Sequence, residues 1–206
     1  MPSLESIFRS DTPARDKFLS RVFGIFNEEI VRCWCNDAHS PYENLGRPTI
    51  TNANTGRRHT LDFTFRSRDS GRVYVGEMKC ELEYENYRYL TLDSSTQLQH
   101  HMGEAFKLFL AAATSPAACR VNVQGKPQPV DGAILVWGRC TPQGQASVVE
   151  EHGLHTVLSV ENIVRDLLQW QSQEFKGLLA TKESWCEYLF TGLRELNNTQ
   201  SQLGAG

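Results

Sequence analysis

The stretch VYVGEMKCE, residues 73–81, has the length and apolar content of a buried β-strand, yet it carries Glu77, Lys79 and Glu81 at alternate positions. Strand side chains alternate between faces, so these three share one face with Val75, while Tyr74, Gly76, Met78 and Cys80 take the other. The preceding stretch, HTLDFTFRSR (59–68), alternates in the same way, with Leu61, Phe63 and Phe65 on one face and Asp62 and Thr64 on the other. Asp69-Ser70-Gly71 supplies a turn between them, which predicts a β-hairpin over residues 59–81. Adjacent strands lie about 4.8 Å apart, so Asp62 and Glu77 paired across the hairpin are able to grip one cation. Two carboxylates with waters suit Mg²⁺, and an ammonium at Lys79 beside them suits stabilisation of charge on a phosphate. The combination makes chemical sense for phosphodiester hydrolysis.

Outward from the hairpin, residues 14–36 place Phe18, Val22, Ile25, Phe26 and Cys33 at helical spacing, with Thr12-Pro13 as the expected start. On this phase Glu29 falls within the apolar stripe and Glu28 points away from it. A loop with Pro41 and Gly46, a short strand at 48–52 and a turn at Asn54-Thr55-Gly56 lead into the hairpin. After a tyrosine-rich stretch (Tyr84, Tyr87, Tyr89), Asp93 or Ser94 caps a second helix that runs to about Thr114. Residues 115–130 read as a loop, and VDGAILVWG (130–138) reads as a strand covered on both faces. A strand near 154–158, a helix opened by Ser159 and ending about Trp170, and a last helix over 181–196 complete the order. Trp137, Trp170 and Trp185 stand in apolar contexts and are expected in the core. This pattern predicts the α/β class: a mixed sheet flanked by helices, in one domain over residues 1–196, with 197–206 a disordered tail.

Composition agrees with a globular chain: of 206 residues, 40% are hydrophobic and 22% charged. No apolar run reaches the roughly 20 residues of a membrane span, and the N-terminus carries charge where a signal peptide carries its apolar stretch, so a cytoplasmic location without membrane contact is expected. The six cysteines are scattered and read as reduced thiols, and Cys33 and Cys35 have no partner pair at zinc-site spacing. The net charge of −3 does not advertise a nucleic-acid binder, but five arginines between Arg57 and Arg72 precede four glutamates between Glu77 and Glu85. A phosphate-tracking surface beside a cation pocket has that pattern, as has an ordinary solvated face.

Asp62, fourteen intervening residues, then Glu77-Met78-Lys79 resembles the PD-(D/E)xK nuclease superfamily, with its restriction-endonuclease-like fold. The likeness extends to the order of elements over about residues 14–138, because that core runs helix, three strands, helix, strand (αβββαβ), here with a helical C-terminal extension. What the resemblance implies is Mg²⁺, with Mn²⁺ as substitute, held by Asp62 and Glu77 with the Met78 carbonyl. Lys79 is then the catalytic lysine, and a metal-activated water hydrolyses DNA. Members often add a glutamate from the first helix, for which Glu29 is the choice here, since a carboxylate on a buried face is costly unless a cation compensates it. Leu61 stands where the family name has proline. The glutamine-then-tyrosine pair of the RecB-like subset corresponds here to Gln97 and His101, possible accessory contacts. Arg57, Arg58, Arg66 and Arg68 are the expected contacts to nucleic-acid backbone, and cutting a duplex at a defined site suggests a homodimer. The rival expectation is a catalytically silent nuclease-fold protein that binds nucleic acid or serves as an assembly subunit. A third is an unrelated α/β protein whose hairpin charges are solvated.

Overall fold

The computed structural model describes residues 4–52, 55–85 and 88–203. Asn54 of the expected turn, Tyr87 and residues 204–206 lie outside the described residues. The chain divides into two compact units, Met1–Asp166 and Leu167–Gly206. The first opens with α1 (Leu4–Ile7) and the 20-residue α2 (Lys17–Asn36). The start of α2 is set by Asp16, whose carboxylate accepts the Leu19 N–H at 2.9 Å, and not by Thr12-Pro13. There follow β1 (Tyr42–Asn44), β2 (Pro48–Thr51), β3 (Arg58–Thr60), β4 (Phe63–Ser67), β5 (Val73–Lys79) and β6 (Thr91–Leu92). A 3₁₀ turn over Ser95–His101 precedes α3 (Glu104–Thr114), and then come β7 (Arg120–Val123), β8 (Lys126–Pro127), β9 (Gly132–Trp137) and β10 (Arg139–Cys140). The order continues with α4 (Pro142–His152), β11 (Thr156–Ser159) and α5 (Val160–Gln169).

The main sheet has five strands in the order β1-β4-β5-β9-β11. β4 pairs antiparallel with β1 on one side and β5 on the other, while β5, β9 and β11 run parallel, so the sheet is mixed and the protein belongs to the α/β class. Parallel neighbours need a crossover, which α3 provides from β5 to β9 and α4 from β9 to β11. β9 is paired on both sides and all six of its residues are buried, as its unbroken apolar run predicts. Its Leu135 and Trp137 join Val75, Leu61, Phe106 and Phe109 in the core. Burying each such side chain contributes roughly 1.5–3 kcal/mol.

The predicted hairpin over 59–81 is corrected in its first strand. Residues 58–60 belong to a second, antiparallel sheet of order β3-β2-β7-β8, and the pairing with β5 runs over Phe63–Arg66. The chain changes sheets at Leu61-Asp62. The Leu61 N–H bonds the Pro48 carbonyl at 3.0 Å, whereas the next N–H, of Asp62, bonds the Gly76 carbonyl at 3.1 Å. Residues 115–130, expected as a loop, supply β7 and β8 to this second sheet. The helix expected from 93 to 114 breaks at Met102-Gly103.

Glycine sets one close approach that fixes α4. A Cβ on Gly144 stands 2.2 Å from the Leu92 carbonyl oxygen and 2.8 Å from the Asp93 Cα, and backbone on both sides leaves no side chain to yield. Gly144→Ala is therefore expected to cost about 3 kcal/mol and to lower the melting temperature by roughly 6–12 °C. Gly177→Ala, with nothing within 4 Å of the added carbon, leaves stability unchanged or raised in the same circular-dichroism melt.

The second unit contains α6 (Gln173–Leu203), a 31-residue helix that takes in most of the segment after residue 196. Trp137 is fully buried, but Trp185 on α6 is 60% exposed, against its expected place in a core. Among the described residues, no helix is long and apolar enough to cross a membrane, and all six cysteines are free thiols.

Candidate functional site

A polar cavity of about 270 Å³ lies at the end of β5, beside Asp62 where the chain changes sheets. It is lined by Asp62, Glu77 and Lys79, by Glu28 from α2, and by Arg15 and Glu81 at its flank. The register Phe63↔Gly76, carried one residue further, sets Asp62 opposite Glu77. Asp62 is fixed on both oxygens. Oδ2 accepts the Met78 N–H at 2.8 Å, and Oδ1 lies 3.4 Å from the Arg47 guanidinium.

Glu77 is 7% exposed, and its Oε1 takes the Lys79 ammonium at 2.7 Å. Its other oxygen, Oε2, is buried and accepts no hydrogen bond, a costly state for a carboxylate. Burial lifts the Glu77 carboxyl to about 7; Lys79 opposes that rise and Asp62 adds to it. The ion pair does not prevail because withdrawal from water outweighs one neighbouring ammonium, which itself retains 22% side-chain exposure. The Lys79 ammonium also stands 5.5 Å from the Phe106 ring centroid, so the core positions it as well as its partner does.

The α2 glutamate that lines this cavity is Glu28, and Glu29, the expected choice, does not line it. Ser20, Gly24 and Glu28 follow one another at intervals of four along α2 and together line the cavity, whereas Glu29 lies about 100° further round the helix and is not among the lining residues. The expected apolar stripe misled here: Phe18 is 66% exposed and Ile25 58%, while the buried face of α2 is made by Asn27, Ile30, Val31 and Trp34. Burial first, then the charge of Asp62, raises the Glu28 carboxyl above its ordinary value, with Arg47 and Arg32 opposing. Two small residues ahead of a glutamate at four-residue spacing were the available signal. Arg47 and Arg15 left none.

Of the accessory pair, Gln97 is committed elsewhere. Its side-chain oxygen accepts the Asp93 and Ser94 N–H groups and its amide donates to the Thr91 carbonyl, closing the cap of the 3₁₀ turn. His101 is close to the cavity wall: its Nδ1 lies 3.9 Å from Glu81 Oε1, and its ring meets Trp137 edge-on with centroids 5.5 Å apart. Burial holds this imidazole below its usual value, against the pull of Glu81.

The four expected backbone-contacting arginines are not brought together. Arg66 pairs with Glu43 and stands opposite Val73, at the far end of the hairpin from Asp62. Arg68 donates to the Cys35 carbonyl at 2.9 Å, and Arg57 lies 3.6 Å from Glu104. Arg58 is exposed on β3.

Among the described residues, no set of three or more His, Cys, Asp or Glu side chains converges to hold a metal unaided. The donor chemistry still fits a hard cation of the Mg²⁺ kind, which keeps several waters and is bound through one or two carboxylates. An unpartnered buried carboxylate oxygen facing a second acid is a site such a cation relieves. Fold and cavity together thus define a mixed α/β protein with an acid–lysine cluster at the seam between two sheets. No family model matches the chain, and neither a curated protein nor a solved structure matches it.

Proposed function

We propose that the protein is a Mg²⁺-dependent nuclease of the PD-(D/E)xK type that hydrolyses phosphodiester bonds of DNA. One observation carries the reading: Asp62, Glu77 and Lys79 line a single cavity, and within it Glu77 keeps a buried oxygen without a partner. The order within the five-stranded sheet supports it, since α2, β1, β4, β5, α3 and β9 run helix, three strands, helix, strand; the strand expected at 48–52 is β2 of the other sheet, and β1 stands in its place. In this reading Asp62 and Glu77 hold the ion, which when bound supplies Lewis acidity toward water and a phosphate oxygen. Arg47 and the Met78 N–H keep the Asp62 carboxylate oriented. Lys79 places positive charge where the phosphate gains negative charge.

The competing reading, a nuclease-fold protein that binds without turnover, is favoured by the Lys79–Glu77 ion pair, through which the cluster neutralises itself in part without any metal. A plasmid assay separates the two. Conversion of supercoiled to relaxed circles in Mg²⁺ or Mn²⁺, abolished by EDTA, supports turnover. Plasmid that is retarded on a gel yet intact in both ions sinks it and leaves the binding subunit.

Glu28→Gln should slow Mg²⁺-dependent cleavage about tenfold, because a cavity-lining carboxylate is lost, while Glu29→Gln leaves the rate within about twofold. Equal losses in both variants, read from initial rates at saturating Mg²⁺, contradict the assignment.

A further inference from the structure

We infer that the outward face of the β3-β2-β7-β8 sheet is the surface along which duplex DNA backbone reaches the cavity. The inference rests on the nuclease reading and adds to it a substrate-binding surface.

Strand alternation sorts this sheet cleanly. Ile50, Val121 and Val123 are buried against the core, so the opposite face presents Thr49 and Thr51 from β2, Arg58 and Thr60 from β3, and Arg120 and Asn122 from β7. Pairing sets them in rows across the sheet. Arg58, Thr51 and Arg120 are in register in one row, and Thr60, Thr49 and Asn122 in the next. No aspartate or glutamate stands in any of the four strands, although the chain as a whole carries a net charge of −3. Among the described residues, neither Arg58 nor Arg120 has an ion-pair partner, unlike Arg57 and Arg66, which face Glu104 and Glu43.

Two guanidiniums flanking a threonine, two strand spacings or about 10 Å apart, are spaced to reach separate phosphates of a DNA backbone. Hydroxyl and amide groups beside them are the neutral donors that phosphate oxygens accept. The four strands hold no Phe, Tyr or Trp, so the face has no platform on which unpaired bases could stack, and backbone of a duplex is the ligand it fits. The face also leads to the site. Thr60 is two residues from Asp62, and Arg47, next to the first residue of β2, touches Asp62 itself.

The test is binding of a fluorescent 20-base-pair duplex in EDTA, by anisotropy, over a series of salt concentrations. Arg58→Glu/Arg120→Glu is expected to weaken binding at least about tenfold and to reduce the slope of log affinity against log salt by about 2, near 0.9 per lost phosphate contact. Arg66→Glu, at the far end of the hairpin, should change neither. Arg58→Gln/Arg120→Gln provides the same comparison should charge reversal impair folding, which circular dichroism reports. Wild-type slope and affinity in the double variant overturn the inference, as does a wild-type protein that binds no duplex. Cleavage by wild type in Mg²⁺, scored separately, tells failure of this surface from failure of the nuclease reading.

Discussion

Lys79→Ala protein should remain folded and bind DNA as wild type does, yet cleave plasmid about 10²–10³-fold more slowly in Mg²⁺. The magnitude is that of removing one preorganised positive donor from a site where charge develops. Lys79 is well placed for this: it projects from the last residue of β5, its ammonium is 2.7 Å from Glu77 Oε1, and the Phe106 ring backs it at 5.5 Å. A lysine used only to balance Glu77 gives a different signature. Its removal then lowers stability at alkaline pH and leaves the rate almost unaltered once Mg²⁺ occupies the cluster. Single-turnover rates at saturating DNA separate the cases, because a transition-state contribution lowers kcat with little change in KM. A Lys79→Ala rate within threefold of wild type removes lysine from the mechanism.

How far the sequence disclosed this arrangement depended on what each residue reports locally. The six-residue run GAILVW can be satisfied only by burial on both faces, so β9 was legible. The phase of Glu77 and Lys79 on β5 follows from strict alternation, which needs no tertiary information. The break at Leu61-Asp62 was not legible, because HTLDFTF alternates without interruption and nothing local shows that its first three residues find different partners. β7 and β8 escaped notice for a similar reason: RVNV is short, and its strand character comes from pairing with β2. Glu28 was missed because helix phase was drawn from the largest apolar side chains. Phe18, Val22 and Ile25 are all exposed, so the true inward face could be seen only from what packs on it.

Mg²⁺ should bind roughly 30-fold more tightly at pH 8.0 than at pH 5.5, and Glu77→Gln should abolish both the binding and its pH dependence. A proton and the ion compete for Glu77, whose carboxyl titrates near 7, so the carboxylate is almost wholly available at the higher pH and only a few per cent so at the lower. The same titration governs stability in the absence of metal. Because the folded-state value lies above the ordinary 4.5, the native state holds this proton more tightly than the unfolded chain does. Its contribution is complete below about 4.5 and is lost as pH rises through about 7. Glu28, raised in the same direction, adds to the trend; His101, held low by burial, runs against it, its folding contribution appearing as pH rises toward 6.5. The informative quantity is therefore the difference between wild type and Glu77→Gln. Wild type without metal should lose stability relative to the variant from pH 5 to pH 8, and Mg²⁺ should restore it at pH 8 alone. Isothermal titration and thermal melts at the two pH values measure both halves. A Mg²⁺ affinity that is flat with pH, or retained by Glu77→Gln, places the ion elsewhere, since Glu77 is the cavity-lining carboxylate with a buried oxygen left unpartnered among the described residues.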